Sequence, residues 1–439
     1  MRITSSLLIV VSLMSSFWYQ AHNVRVPLLT AAVGVDAGGR LDGVSVTERS
    51  AGVFAGRSRA LASDPLAAVT VDRQDQWLAS GTVPGADTGY TDMVRLALLD
   101  LKTLTLPSCA SLAGWPEPWR YVWPRDASFV AVALARSGHP DDARCVLRFL
   151  QDLQPDDGVF QARYRPDGSG PPDDRGVQND SVGWVLWAVD QVRRSLPETG
   201  PQRQDLLLGL RPLITRSAAA AMALTTTPTG LPAPGMDYWE VHDKRLSLGT
   251  AAPIAAGLAA APVLLRAVGA PSSGDAAAER AVAIRQAIKR EFGSQGYPRY
   301  LGQDDHDASL SFLLPPFTDT ADDDVATTWR TAVRTMERPA GGLAPGAGWK
   351  NDGISWTPQT ALAGLTAAHN GDLAGARARL LWLSAHRTAL GAIPEKVLSD
   401  GSPAGPAPLS WSDALVVLTA AEIDRVDAPE RGERPGIAR

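Results

Sequence analysis

The sequence has 439 residues, of which 45% are hydrophobic and 20% are charged, and its formal net charge is −5. These values are typical of a soluble globular protein with a large core, and the lack of a long basic block argues against a nucleic-acid-binding protein. The 13 tryptophans outnumber the 7 tyrosines and the 8 phenylalanines. Large flat side chains stack well on the C–H-rich faces of sugar rings, although the alternative is that the tryptophans fill the core.

The N-terminus has the pattern of an export signal. Arg2 precedes an uncharged run over residues 3–24, whose most apolar part is 7–19. This pattern predicts a signal sequence in residues 1–23, and the run is long enough to cross a bilayer as a membrane anchor if it is retained. The small-x-small cleavage pattern is poor, and a buried N-terminal helix is a third alternative. We expect an exported protein, secreted or attached to the outer face of the membrane by residues 3–24.

Cysteine and histidine usage gives no metal-binding pattern. The two cysteines, Cys109 and Cys145, are not in a Cys-x-x-Cys motif, and the six histidines are scattered. The sequence alone leaves open whether the cysteines pair. It also lacks a Ser/His/Asp set, a Gly-rich phosphate loop and a dinucleotide fingerprint, so we expect neither a metal nor a cofactor.

Helical periodicity begins after a poorly patterned stretch. Residues 24–85 predict an irregular extension of loops with one or two short strands, for example near 44–46. Residues 86–426 predict twelve helices, near 89–104, 126–137, 141–153, 178–196, 203–224, 246–267, 275–291, 306–314, 324–336, 356–369, 372–386 and 411–424. Six helical hairpins predict an all-α fold, an (α/α)6 barrel with six inner and six outer helices. A solenoid has similar helices, but no repeat of fixed period is present. Residues 427–439 are expected to be a disordered tail.

Aromatic and charged residues recur before every second predicted helix. If the even-numbered helices form the inner ring, these loops open at one end of the barrel and surround one pocket. The segments are 121–126, 178–181, 238–241, 306–309, 349–352 with Trp356, and Glu395 with Trp411.

Two glutamates in these loops are candidates for acid–base chemistry. Cleavage of a glycosidic bond needs two carboxyl groups, one to protonate the leaving oxygen and one to activate water or attack the sugar. Glu240 is the candidate acid, because the adjacent Trp239 is expected to desolvate it and raise its pKa. Glu395 is the candidate base and lies in a loop, 391–412, whose four prolines and three glycines exclude a regular helix. The alternative for Glu240 is an acid that stabilises a helix N-terminus.

Other polar residues have two interpretations each. Arg125 and Asp126 either clamp sugar hydroxyls or form the cap and ion pair at the start of a helix. Asp180 and Asp307 have the same two interpretations.

Five motifs in this order resemble glycoside hydrolase family 15, the glucoamylases with their glucodextranase and trehalase relatives. The resemblance covers residues 90–425 approximately, with motifs at 121–129, 178–183, 237–240, 307–315 and 394–412. It implies an (α/α)6 barrel and an inverting hydrolase that releases β-glucose from non-reducing ends of an oligo- or polysaccharide. It also implies that Glu240 is the acid, Glu395 the base, and that the terminal sugar is held by Tyr121, Trp123, Arg125 and Asp126, beside Trp239. Asp180, Asp307, Trp349 and Trp411 complete the expected substrate-binding set.

The sequence departs from the family in ways that concern the substrate. Many relatives have an Arg-Tyr pair after the Gly-Gly corresponding to 341–342, whereas this chain has Leu343 and Ala344. The position after Glu240 is Val241 rather than a second glutamate. A phosphorylase on a related barrel and a catalytically silent glycan-binding barrel are the alternatives; Glu395 argues against the former and the pair of acids against the latter. We expect a monomer that binds no nucleic acid.

Overall fold

The computed structural model describes residues 26–45, 52–241 and 244–428. The predicted signal or anchor segment therefore lies outside the described residues, and so does most of the predicted C-terminal tail.

The N-terminal extension contains more structure than the sequence predicted. Strands β1 (Ala32–Val35) and β2 (Leu41–Val44) form an antiparallel hairpin, in agreement with the expected short strands. Helix α1 (Ala67–Ala79) follows, where only loops and strands were expected, so this part of the prediction was wrong. The buried face of α1 carries Thr70, Gln74 and Leu78. Since two of these three residues are polar, the helix has little apolar periodicity to reveal it.

Twelve further α-helices follow within the described residues. They are α2 (Thr91–Leu104), α3 (Pro124–Arg136), α4 (Pro140–Leu153), α5 (Asp180–Ser195), α6 (Pro201–Gly209), α7 (Arg211–Leu224), α8 (Leu248–Ala267), α9 (Pro271–Glu291), α10 (Asp323–Thr335), α11 (Thr357–His369), α12 (Leu373–Ala385) and α13 (Ser410–Asp427).

Two of the predicted helices differ from the structure. The helix expected at 203–224 is divided into α6 and α7, because Pro212 lies in the first turn of α7 and starts a new helix there. The helix expected at 306–314 is a short 3₁₀ helix, Ala308–Leu313, which ends before Pro315 and Pro316.

Six inner elements form a closed ring. Each contacts the next in the order α3, α5, α8, the 3₁₀ helix Ala308–Leu313, α11 and α13, and α13 returns to α3. Helices α2, α4, α7, α9, α10 and α12 pack outside this ring. The inner helices are buried on nearly all sides, as in α8, whose buried residues run almost continuously from Leu248 to Leu265. This is the predicted (α/α)6 barrel.

Aromatic side chains fill the inside of the ring. Trp184 packs edge-on against Phe312 with ring centroids 4.7 Å apart, and Phe129 lies 4.9 Å from Trp187. Phe317 contacts this cluster from the loop after the 3₁₀ helix. The core-filling alternative for the tryptophans therefore holds for Trp184 and Trp187.

Among the described helices, α8 is long and apolar enough to span a membrane, and the α6–α7 pair, bent by 57°, also passes that test. In α8, 83% of the most apolar window is buried inside the barrel. Burial of this kind is expected of a core helix in a barrel.

Two features tie loops to the barrel. Strands β3 (Ser355–Trp356), β4 (Lys396–Val397) and β5 (Pro403–Ala404) form a small antiparallel sheet with β4 in the middle. Cys109, in the loop after α2, forms a disulfide with Cys145 of α4.

A buried ion pair anchors the extension to α2. The Arg59 guanidinium donates to both carboxylate oxygens of Asp100 at 2.5 and 2.6 Å, and it also donates to the Leu390 carbonyl at 2.9 Å. Both side chains are 1% exposed. Burial raises the pKa of Asp100 and of the neighbouring Asp413, and the Arg59 guanidinium opposes this rise at both carboxyls.

Replacing Arg59 should therefore destabilise the fold. We expect Arg59→Met to lower the free energy of unfolding by about 3–5 kcal/mol, because it leaves a buried carboxylate without its partner. Urea unfolding followed by circular dichroism would measure the change. The exposed Arg40, which pairs with Asp36, provides the control, and Arg40→Met should cost less than about 1 kcal/mol. Equal losses in the two variants would contradict this role for Arg59.

Candidate active site

A cavity of about 330 Å³ lies where the N-terminal ends of the inner helices converge. Eight of the predicted site residues line it, namely Trp123, Arg125, Asp126, Trp239, Glu240, Trp349, Glu395 and Trp411. The cavity is the size of a small-ligand site and combines aromatic walls with a few charged groups.

Glu240 is held in the cavity wall by three side chains. The indole Nε1 of Trp123 donates to its carboxylate at 2.5 Å, Gln178 donates to the same oxygen at 3.4 Å, and Arg175 forms an ion pair with the other oxygen. The backbone of Glu240 is in the left-handed region with φ of 55°. Non-glycine residues adopt this conformation at a cost, and such strain concentrates at functional sites.

Asp237 fixes the turn that carries Glu240. Its carboxylate accepts hydrogen bonds from the Trp239 amide at 3.0 Å, the Ser247 hydroxyl at 2.6 Å and the Arg299 guanidinium at 2.8 Å. The Glu240 amide donates to the Asp237 carbonyl at 2.8 Å. This buried network supports the strained conformation of Glu240.

Glu395 is the residue before β4 in the loop at 391–412. Its amide donates to the Pro406 carbonyl at 2.9 Å, and its carbonyl accepts from the Thr357 amide at 3.0 Å. Its carboxylate accepts from the Trp119 indole at 3.1 Å and lies 2.7 Å from the Lys396 ammonium. Each of the two glutamates therefore has one indole donor and one cationic partner, and both indoles come from the loop before α3.

Arg125 and Asp126 form a buried ion pair in the first turn of α3. The Arg125 Nη2 lies 2.9 Å from an Asp126 oxygen, and both residues are 5% exposed. Burial raises the pKa of Asp126, and the charge of Glu240 adds to this, whereas Arg125 opposes it. The guanidinium also lies over the ring of Trp411, 4.8 Å from its centroid. The pair lies in the first turn of the helix, where Trp123 and not Asp126 is the N-cap, and it also lines the cavity. Its role as a sugar clamp stays a prediction.

Three predicted site residues lie outside the cavity wall. Asp307 caps the 3₁₀ helix by accepting from the Ser309 amide, and it also accepts from the Tyr238 hydroxyl at 2.7 Å. Asp180 is fully buried at the start of α5. Tyr121 packs under the guanidinium of Arg163, which lies 4.4 Å from its ring centroid. Asp307 is thus a helix cap, as one interpretation predicted, whereas Asp180 follows the N-cap Asn179 and accepts from the Trp184 indole at 3.2 Å. Tyr121 meets Trp123 edge-on.

The indole next to Glu240 differs from the one expected. Trp239 stacks on Arg299, whose guanidinium carbon lies 3.5 Å from the ring centroid, and meets Trp349 edge-on at 4.7 Å. The carboxylate of Glu240 is instead bonded by the indole of Trp123. Trp239 and Trp349 thus form one aromatic wall of the cavity, which continues to Trp356.

Several cavity residues were not predicted. Arg175 and Lys396 supply positive charge next to the two glutamates, and Trp119 contacts Glu395. Gln359 of α11 lines the cavity with its buried side-chain oxygen free of any hydrogen-bond partner. Lys396 follows Glu395 directly in the sequence and could have been noticed. Arg175 lies in an irregular loop with no pattern to identify it.

The segment that lacks the expected arginine also borders the cavity. Pro345 lines it and brings no charge, whereas the arginines in the cavity wall are Arg125 and Arg175. Within the described ranges, no group of three or more His, Cys, Asp and Glu side chains is placed to hold a metal ion.

Comparison with known proteins relates this fold and site to sugar-cleaving enzymes. An isomaltose glucohydrolase from Kribbella flavida is 28% identical over 332 residues, which span 69% of this chain and 84% of that protein. A glycosidase of known structure is 25% identical and superposes with a TM-score of 0.65 over 76% of this chain and 96% of its own. A bacterial glucoamylase solved with acarbose has a TM-score of 0.66 at 19% identity, covering 81% of this chain and 58% of its own. No family model matches the sequence.

These likenesses confirm the barrel and the class of protein that the motifs predicted: the fold is that of the glucoamylases. The chain is a glycoside hydrolase that shares the glucoamylase fold.

Asp126 and Asp180 should respond differently to the same substitution. We expect Asp126→Asn to lower kcat/KM by about 10- to 100-fold, because it removes a charged acceptor from the cavity wall. The matched Asp180→Asn variant should change kcat/KM by less than about threefold, because that side chain does not line the cavity. Steady-state glucose release would compare the two. Similar losses in both would place Asp180 in the sugar-binding machinery.

Asp180 should also make stability depend on pH. Burial raises the pKa of its carboxyl to about 7. The folded state therefore binds a proton that the unfolded state has released between pH 4 and 7, so this group costs stability as the pH rises through that window. We expect Asp180→Asn to gain about 2 kcal/mol relative to the wild type between pH 5 and pH 8. Urea unfolding at the two pH values would test this, and a constant difference would contradict the raised pKa.

Proposed function

We propose that this protein is an exo-acting, inverting hydrolase of α-glucosidic bonds. The observation that carries the proposal is that Glu240 and Glu395 border the same cavity, each oriented by a tryptophan of the loop before α3. Inverting hydrolysis needs two such carboxyl groups on opposite sides of the scissile bond. The isomaltose-cleaving and glucoamylase relatives support glucose as the terminal sugar.

In this mechanism Glu240 is the general acid. It gives its proton to the glycosidic oxygen as the bond from that oxygen to the anomeric carbon breaks. Delivery of this proton is proposed to require that Arg175, which forms an ion pair with Glu240, moves away from the carboxylate. Arg175 is 36% exposed and lines the cavity.

Glu395 is the general base. It takes a proton from water as the water oxygen bonds to the anomeric carbon from the opposite face, which releases β-glucose. The Lys396 ammonium and the Trp119 indole contact the carboxylate and orient it for this role. A phosphorylase would need a phosphate site in place of a base, and Glu395 in this position favours hydrolysis.

Arg125 and Asp126 are proposed to hold the terminal sugar. The carboxylate accepts from hydroxyls and the guanidinium donates to them, while Trp411 and Trp239 supply flat faces. The unpaired oxygen of Gln359 is a further acceptor for a sugar hydroxyl. The substrate class that fits is an α-linked gluco-oligosaccharide, with isomaltose and maltose as the first candidates.

The protein is further proposed to act outside the cytoplasm. The uncharged run at 3–24 and the Cys109–Cys145 disulfide both fit export, because disulfides persist in oxidising compartments. Attachment to the membrane through residues 3–24 and a monomeric state belong to the same proposal.

A substrate panel with two variants tests the reaction. Maltose, maltooligosaccharides, isomaltose, dextran and trehalose would be offered to the wild type, and nuclear magnetic resonance would identify the anomer of the glucose released first. We expect β-glucose, with kcat reduced by about 10²–10⁴-fold in both Glu240→Gln and Glu395→Gln.

The control is Glu337→Gln, which alters an exposed glutamate and should leave kcat unchanged. Release of α-glucose would rule out inversion. Full activity in either active-site variant would remove that residue from its role.

A further inference from the structure

The N-terminal segment 27–31 is paired to the loop that carries Glu395. The Leu29 amide donates to the Gly405 carbonyl at 2.8 Å, and the Gly405 amide donates to the Pro27 carbonyl at 3.0 Å. Leu28 and Gly405 form a parallel bridge. The segment is therefore paired with the residue that directly follows β5.

Thr30 extends this pairing with its side chain. Its hydroxyl donates to the Ala407 carbonyl at 2.7 Å and accepts from the Ala407 amide at 3.1 Å. The residue is 8% exposed. One buried hydroxyl thus satisfies both backbone groups of a residue 377 positions away in the chain.

The extension also holds the other end of the loop. The Thr388 hydroxyl donates to the Ala31 carbonyl at 2.6 Å, and Arg59 donates to the Leu390 carbonyl at 2.9 Å. Both contacts lie just before the loop begins at Gly391. Residues of the extension therefore form hydrogen bonds to the chain on both sides of Glu395, at 388–390 and at 405–407.

Residues 405–407, which the N-terminal segment holds, contact Glu395 in two places. The Glu395 amide donates to the carbonyl of Pro406, which lies between the two residues bonded by the segment, Gly405 and Ala407. Gly405 also packs directly on the glutamate, since a Cβ built on it would lie 3.1 Å from the carboxylate. Displacing 405–407 would therefore displace the carboxylate.

We propose that residues 27–31 are a positioning element of the active site, with Thr30 fixing the general base through Ala407 and Pro406. This inference rests on the proposed role of Glu395. A base that activates water contributes little to binding of the sugar, which is assigned to Arg125, Asp126 and the aromatic walls. Loosening the base should therefore lower kcat while KM stays constant.

The first test is Thr30→Val in the full chain, which removes the hydroxyl and keeps the shape. We expect kcat to fall by about tenfold on the best substrate of the panel, since small displacements of a catalytic group are costly, with KM within about twofold. Thr30→Ser restores a hydroxyl and should recover most of kcat. Thr225→Val removes an equally buried hydroxyl that bonds only within α7 and its end, and it should leave kcat unchanged.

A second variant tests the same pairing at an exposed residue, so that no buried side chain is changed. Leu29→Pro removes the amide that donates to Gly405, and Leu29→Ala is its control, because the Leu29 side chain is 42% exposed. The proline variant should lose kcat and the alanine variant should not. Unchanged kcat in both Thr30→Val and Leu29→Pro would overturn the proposal, as would a matching loss in Thr225→Val.

Hydrogen exchange separates this proposal from the assignment of the reaction. In Thr30→Val, the amides of Glu395, Gly405 and Ala407 should exchange at least about tenfold faster by mass spectrometry, while those of α8 keep their protection. This readout needs no substrate. Faster exchange in Thr30→Val, together with an inactive wild type, would support residues 27–31 as a positioning element and reject the proposed function. Unchanged exchange would reject the positioning role, whatever reaction the protein catalyses.

Discussion

Burial of the inner ring on nearly all sides is the constraint on which this molecule depends. Helices that contact neighbours on both sides and an outer layer behind cannot expose functional groups along their length. Polar side chains can converge at the N-terminal ends of these helices, because there they do not place polar groups without hydrogen-bond partners in the core. The cavity between Glu240 and Glu395 lies at that end, and its walls come from loops that enter different inner elements.

The charges around the cavity follow from the same constraint. A carboxylate removed from water needs partners, and the two glutamates find them in an indole and a cation each. Arg175 and Lys396 differ in position, because Arg175 belongs to an irregular loop, whereas Lys396 begins the strand β4 directly after its partner Glu395. Glu240 is thus paired with the more exposed cation and Glu395 with the less exposed one, at 36% and 16% side-chain exposure.

Much of the fold could be predicted from the sequence, because long amphipathic helices and the loops between them have strong local signals. The segment before Trp239 and Glu240, and the proline-rich loop around Glu395, placed the two acids on the correct side of the barrel. Helix α1 was not predicted, because Thr70 and Gln74 on its buried face are polar and interrupt the apolar periodicity that identifies a helix. The sequence also did not predict three residues of the cavity wall, Arg175, Trp119 and Gln359. Their positions depend on the paths of loops and on the packing of elements that are distant in the sequence. Asp307 and Asp180 do not line the cavity, although each belongs to a motif that was expected to border it, because both side chains are buried in contacts within the barrel.

The Cys109–Cys145 disulfide has a consequence for where the enzyme can be made. The bond closes a covalent loop of 36 residues that includes Trp119, Trp123, Arg125 and Asp126, and six of the 19 residues that line the cavity lie within this loop. Closing a loop of that length restricts the unfolded chain and stabilises the fold by about 4 kcal/mol in the chain-entropy view. In a cell compartment that keeps thiols reduced, the disulfide would be absent from the segment whose indoles bond Glu240 and Glu395. Formation of the disulfide is therefore coupled to assembly of the cavity wall in this barrel.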